Sequence, residues 1–318
     1  MISCLDDYIG LLYVSDAPTS GRYLNDLYGV RTEKFTGIRD ESETYDDLDA
    51  WTILYNRTNR LFETDIIAQL KKYMRRYSLF STVVSHYNNT NDLLSAEGKY
   101  KGILFDFTHE SYNTKLVIEN VFVYASGSDS ITFKIFDATL GTELHSVTKT
   151  VSEGLNTFTI SKEYATHKYQ RIFVCYDDTG TSLYKVIWHP NASFSAATSK
   201  GISTTSNVLH GSMAAEDIGM GCTFSLKCSI DNLVCQRIEM FADAFLYKLG
   251  IEFMKEAKFS DRVNRWTILD RDEIDQAINE YEKEYTKQLA QIFEGMVVPD
   301  DGICFECAKD VTYKQQIP

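Results

Sequence analysis

CQRIEMFADAFLYKLGIEFMKEAKF, residues 235–259, is the stretch on which the fold turns. Ile238, Phe241, Phe245, Leu249 and Phe253 recur at steps of three or four, which places them on one face of a helix. Ser260 and Asp261 interrupt the period. Asp270, followed three residues on by Glu273, has the form of a capping box and opens a second helix over DRDEIDQAINEYEKEYTKQLAQIF, residues 270–293. Its apolar stripe is Ile274, Ile278, Tyr281, Tyr285, Leu289 and Ile292, with Glu280, Glu282, Lys283, Glu284 and Lys287 on the other side. Residues 235–295 therefore read as a helical hairpin with one solvated face and one face that needs a partner.

A partner is offered far upstream. Leu48, Trp51, Tyr55, Phe62, Ile66, Leu70 and Tyr73 keep to one face of a helix over residues 43–78, with a weak spot at Thr58 and Asn59 where it could break in two. The acidic run Asp40–Asp49 precedes this helix. Lys71, Lys72, Arg75 and Arg76 close it, the arrangement that a helix dipole favours.

Between the helical parts the period changes from about 3.6 to two. Ile131, Phe133 and Ile135 alternate with Thr132, Lys134 and Phe136, and the pattern repeats at Leu116 and Ile118, at Phe158 and Ile160, and at Ile172, Val174 and Tyr176. Turn-forming residues separate these runs at 109–113, 126–130, 137–141, 153–156 and 177–181. Such short strands predict an antiparallel β-sandwich. The fold class is thus α+β: a long N-terminal helix and a C-terminal helical hairpin form a framework, and the sandwich is inserted into it. The expected division is an extended N-terminal arm over 1–41, a helical part over 42–98, the sandwich over 99–190, a long Ser/Thr/Ala/Gly-rich loop or linker over 191–234, the hairpin over 235–295 and a tail over 296–318.

With 318 residues the chain can bury a full core, and its 44% hydrophobic content excludes a mainly disordered protein. The net charge of -13 disfavours binding to nucleic-acid phosphates over a broad surface. The first 50 residues hold eleven acids against four bases, so much of the chain's acidic excess sits in the arm and the start of the helix after it. No run reaches the roughly 18 apolar residues of a membrane span, and the start lacks the basic and apolar regions of a signal peptide. The expectation is a chain that folds in a cytosol and has no membrane partner.

No catalytic motif is present. There is no Gly-x-Ser-x-Gly, P-loop or His-Glu-x-x-His, and no cofactor is expected. Asp177 and Asp178 at a strand end read as a turn rather than a Ca²⁺ site. Seven cysteines at irregular spacing do not look like a secreted disulfide framework. Cys304 and Cys307 form a C-x-x-C, which with Cys228 and Cys235 would make a Cys₄ zinc site. The alternative weighed against it is reduced, buried thiols. The arm carries Tyr8, Tyr13, Tyr23 and Tyr28 with no local period to bury them, so they are candidate interface residues, covered either by the rest of the chain or by a neighbouring subunit.

Cys4-Leu5-Asp6-Asp7-Tyr8-Ile9-Gly10, followed by Ser20-Gly21-Arg22-Tyr23-Leu24-Asn25-Asp26-Leu27-Tyr28-Gly29-Val30, resembles the opening of virion structural proteins of crAss-like bacteriophages. The Cys304–Cys307 tail resembles their ends, and Tyr28 stands where those relatives are expected to have proline. The resemblance implies a non-enzymatic subunit of a head-to-tail ring in the neck or tail, assembled in the bacterial host cytoplasm and carried in the virion. Its implied partners are copies of itself, the portal, other ring proteins, and DNA passing through the lumen without sequence-specific binding. A second reading, from another class, is a glycan-binding adhesin whose sandwich uses Tyr176, Tyr184 or Trp188 as a stacking platform.

Overall fold

The structure is a computed structural model and describes residues 2–13, 21–30, 47–74, 77–84, 86–87, 92–107, 112–180, 182–187, 192–194, 197–207, 209, 218–259, 271–298 and 303–305. Two units emerge. One combines 1–73 with 230–298, and the other combines 74–229 with 299–318.

The first unit is helical. Its long elements are α1 (Asp47–Leu70), the short α2 (Asp231–Cys235), α3 (Ile238–Phe259) and α4 (Arg271–Gly295). The stripes read from the sequence are its core: Phe62, Ile66, Leu70, Phe241, Phe245, Leu249 and Phe253 are almost wholly buried, and Tyr281, Tyr285, Leu289 and Ile292 nearly so. Aromatic rings meet edge-on or tilted, with Tyr55 5.2 Å and Phe62 5.2 Å from Phe245, and Phe62 6.3 Å from Tyr285. Such geometries add to the area each ring buries. Asp65 ties the three long helices together, accepting from Lys248 Nζ at 2.8 Å and Tyr285 Oη at 2.6 Å. Burial and the Asp65 carboxylate both push the Tyr285 phenol up, so it stays a donor. Asp270, the expected N-cap, lies outside the described residues.

Residues 58 and 59 do not break α1. Thr58 is fully buried and returns its hydroxyl to the carbonyl of Leu54 at 2.8 Å, while the buried Asn59 finds partners outside the helix. Their polarity is absorbed locally, and the helix runs on.

The second unit is a β-sandwich, and its strands are β3 (Ser78–Val84), β5 (Tyr100–Phe107), β6 (Thr114–Ala125), β7 (Asp129–Asp137), β8 (Thr142–Val151), β9 (Gly154–Ala165), β10 (Arg171–Asp177), β12 (Ala192–Phe194), β13 (Ala197–Thr204) and β14 (Met220–Cys228). The pair β4 (His86–Tyr87) and β11 (Val186–Ile187) stands apart, as do β1 (Ile9–Gly10) and β2 (Arg22–Tyr23) of the helical unit. One sheet runs β12-β13-β5-β10-β7-β8 and the other β3-β14-β6-β9, all antiparallel. The two inner faces share one core, in which Ile103, Phe105, Ile131, Ile135, Ile172 and Val174 meet Leu116, Ile118, Val121, Val123, Met220, Cys222 and Phe224. Phe136, Phe173, Leu104 and Ile202 face the other way and pack with Leu209.

Two boundaries change. The segment 78–84, expected within the N-terminal helical part, is an edge strand, and 191–234 is not a linker but supplies β12, β13, β14 and α2. β14 is even central, paired to β3 on one side and β6 on the other. The reason is small residues. β13 buries Ala197, Ser199 and Gly201 while Thr198 is exposed, so it alternates in size rather than in hydrophobicity.

At one end of the sandwich, Asp178 is buried and paired with Lys101 at 2.9 Å, and it also accepts the N–H groups of Glu97 at 3.0 Å and Lys99 at 2.6 Å. Burial works against its charge, but the Lys101 ammonium and these N–H groups outweigh burial and hold its carboxyl below the ordinary range. Asp177 accepts from Thr179 in the expected turn.

Two outcomes check these assignments. Phe245→Ala removes the ring shared by α1 and α3, and chemical denaturation should show a loss of about 3 to 5 kcal/mol. A fragment spanning 74–229 should melt cooperatively as a β protein, whereas 100–190 should not, because it lacks β3, β13 and β14; circular dichroism on the two fragments distinguishes them.

Candidate subunit interface

The arm is the candidate, and its own chain holds it. Ile2, Leu5, Ile9, Leu11 and Leu24 are nearly or fully buried, as hydrophobic anchors are. Asn59 of α1 clamps the first of them, its Oδ1 accepting from Ile2 N at 2.8 Å and its Nδ2 donating to Ile2 O at 2.9 Å. Asp231, at the start of α2, accepts Ser3 N at 2.7 Å and Ser3 Oγ at 3.0 Å. A disulfide joins Cys4 to Cys235 at 2.10 Å.

Residues 9–12 and 22–28 are held in the same way. Ile9 and Gly10 of β1 pair with Arg22 and Tyr23 of β2, Leu12 N donates to Asn25 Oδ1 at 2.9 Å, and Arg22 reaches Asp243 of α3 at 2.8 Å. Tyr281 of α4 donates its hydroxyl to the Tyr28 carbonyl. Gly250 makes room, because a Cβ there would run into Leu27 and stand 3.0 Å from Tyr281.

These anchors answer part of the interface question. Ile2, Leu5, Ile9, Leu11, Leu24, Leu27 and Val30 of the arm are covered within the chain, which the sequence left open. The tyrosines divide. Tyr8 and Tyr23 are half-buried, but Tyr13 is 93% and Tyr28 81% exposed. Tyr13 also has φ +70°, a conformation that a bulky residue rarely adopts. Two of the four rings thus face solvent. Lys71 and Lys72 lie exposed just past the end of α1, with Lys72 Nζ 4.8 Å from the Tyr73 ring; Arg75 and Arg76 lie outside the described residues.

The cysteines do not form the zinc tetrad. Cys228 is bonded to Cys304 at 2.09 Å and Cys235 to Cys4, so three of the four proposed ligands are spent in disulfides, and Cys307 lies outside the described residues. The reduced-thiol expectation also gives way for Cys4, Cys228, Cys235 and Cys304. It stands for Cys175 and Cys222, which are buried, with burial pushing both thiols up and out of reactive range. Sequence reasoning missed both bonds because their partners are 231 and 76 residues apart, so no local spacing reveals them. Asp231 and Asn59 were missed for the same reason: one lies in a stretch read as a linker and the other reads as a weak spot in a helix, until their partners near residue 2 are known.

The stacking platform is not assembled either. Tyr176 is buried between the sheets, Tyr184 packs edge-on to Tyr124 at 5.4 Å, and Trp188 lies outside the described residues. Among the described residues no helix is long and apolar enough to cross a membrane.

No protein-family model matches the chain, and no curated protein matches it. Among solved structures, one of the infectious bursal disease virus Gt strain aligns with 47% of this chain at 9% identity and a TM-score of 0.20, over 40% of that chain. One of the T13 particle of the same virus aligns with 70% at 9% identity and a TM-score of 0.19, over 51% of that chain. The chain thus spans about half or less of the length of these virus proteins. Overlaps at such TM-scores leave the function to be argued from the chain's own residues.

Asn59→Ala would leave the Ile2 N–H and carbonyl buried without their partner. Each such group costs about 1 to 3 kcal/mol, so equilibrium unfolding should show a loss of about 2 kcal/mol or more. Limited proteolysis should cut first within residues 1–12.

Proposed function

We propose that this chain is a non-enzymatic virion structural protein, a subunit of an oligomeric ring in the head-to-tail connector or tail of a phage, lining part of the DNA exit channel. The observation that carries the reading is the anchored arm. The arm that carries the crAss-like resemblance is held by its own chain, through Asn59 at Ile2, Asp231 at Ser3, a disulfide at Cys4 and Asp243 at Arg22, and it exposes Tyr13 and Tyr28. Aromatic rings that pay little entropy on docking suit a contact repeated around an axis, and a heterologous contact of that kind closes into a ring. The net charge of -13 suits a lumen that DNA passes without sticking. Proposed partners are copies of the chain, the portal and neighbouring ring proteins.

Localisation follows the same reading. The chain is assembled in the bacterial host cytoplasm and carried in the virion, where disulfides persist once the particle leaves reducing conditions. The adhesin alternative has lost Tyr176, the platform residue whose burial can be read directly.

The test is assembly. The purified chain, alone and with its portal complex, should give closed rings of one mass and symmetry by native mass spectrometry and electron microscopy. Tyr13→Ala combined with Tyr28→Ala should leave the melting temperature nearly unchanged, because both rings are exposed. It should weaken self-association on the order of 10²- to 10³-fold, from roughly 2 kcal/mol per buried ring. Added salt should spare assembly, since rings rather than ion pairs dominate. Unaltered rings from the double variant would refute the assignment.

A further inference from the structure

The two disulfides differ in one respect that bears on chemistry. Cys4 and Cys235 are both half-buried, whereas Cys228 is 1% and Cys304 0% exposed. Thiol–disulfide exchange needs an attacking thiolate to reach a sulfur in line with the bond, so access decides which bond can exchange while the protein stays folded. Of these two bonds, Cys4–Cys235 is the one whose cysteines are not fully buried.

We propose that Cys4–Cys235 is a reversible thiol-exchange site, a clasp on the arm that small thiols or dithiol reductants open in the native protein, while Cys228–Cys304 remains closed. The thiolate of the reductant attacks one sulfur, forming a mixed disulfide as the Cys4–Cys235 bond breaks. The other cysteine leaves as a thiolate and takes up a proton. The second thiol of the reductant, as a thiolate, then attacks the reductant's own sulfur in the mixed disulfide and expels the remaining cysteine as a thiolate that takes up a proton; the reductant becomes a disulfide and the protein has gained two electrons and two protons.

The surroundings also explain why the clasp should close again. Asp231 holds Ser3 by its N–H and its hydroxyl, and Asn59 holds Ile2 by both backbone groups, so the two residues before Cys4 stay in place without the disulfide. Leu5 behind it is fully buried. Reduction therefore removes the covalent bond but leaves Cys4 near Cys235, ready for an oxidant of the disulfide class to re-form it. This inference does not depend on the ring reading.

The test uses the full oxidised chain in native buffer with dithiothreitol, quenched at intervals with an alkylating reagent and read at each cysteine by peptide fragmentation. Cys4 and Cys235 should be labelled on the order of tenfold or more faster than Cys228 and Cys304, and oxidised glutathione should restore the same pair. Equal rates, protection of both pairs, or preferential opening of Cys228–Cys304 would overturn the proposal. Cys4→Ser, checked for native circular dichroism, should leave Cys228 and Cys304 unlabelled over the same interval. Their labelling in that variant would mean that reduction follows unfolding, which also overturns it.

Discussion

The contact of Phe62 and Tyr55 with Phe245 is the constraint on which the rest depends. It joins α1 to α3 across the whole of the β-sandwich sequence, so the helical unit cannot close until the chain has travelled out through β3 and back through β14. Burial of large aromatic rings supplies the driving force, since each removes substantial apolar area from water. The stripes on α3 and α4 are too apolar to face solvent, and α1 is the element whose stripe matches them. The insertion of the sandwich is thus a consequence of which helices need each other.

Buried polar groups set the register of this packing. Asp65 accepts from helices α3 and α4 at once, Asn59 and Asp231 fix the first residues of the arm, and the Lys101–Asp178 pair fixes the sandwich where residues 95–101 meet the end of β10. Buried ion pairs and hydrogen-bonded side chains contribute little net stability compared with a well-packed apolar replacement, but each is costly to break on one side only. Misplaced alternatives are therefore penalised. That gives a physical account of why an acidic, aromatic-rich arm lies in one place on the helical unit.

The functional reading follows from what is left exposed once those groups are satisfied. An arm that merely completed the core would bury its aromatics with its aliphatics. Here the aliphatics are inside and Tyr13 and Tyr28 are outside. Exposed rings on a segment that is already anchored need less ordering on docking than rings on a free arm would, so more of their contact is retained as affinity. The disulfide at Cys4 serves the same end by holding the base of that surface to α2.

The sequence by itself determined the elements whose signal is local contrast. The 3.6-residue stripes of α1, α3 and α4 and the alternation in β6, β7, β9 and β10 are legible because apolar and polar residues trade places at the period of the backbone. It did not reveal β13 and β14, where small or doubly buried residues erase that contrast, nor the continuity of α1 through Thr58, which returns its hydroxyl to the Leu54 carbonyl one turn back, and Asn59, whose partner lies near residue 2. Cysteine pairing was equally hidden. C-x-x-C spacing at Cys304 and Cys307 suggested a shared ligand, but the bonds run to Cys228 and Cys4 to Cys235, brought together only when distant strands and helices had packed. The same holds for the candidate interface: four tyrosines without a period stood out in the sequence, but which of them face outward was decided by tertiary anchors at residues 59, 231, 243 and 281, because exposure is a property of the packed chain and not of any segment of it.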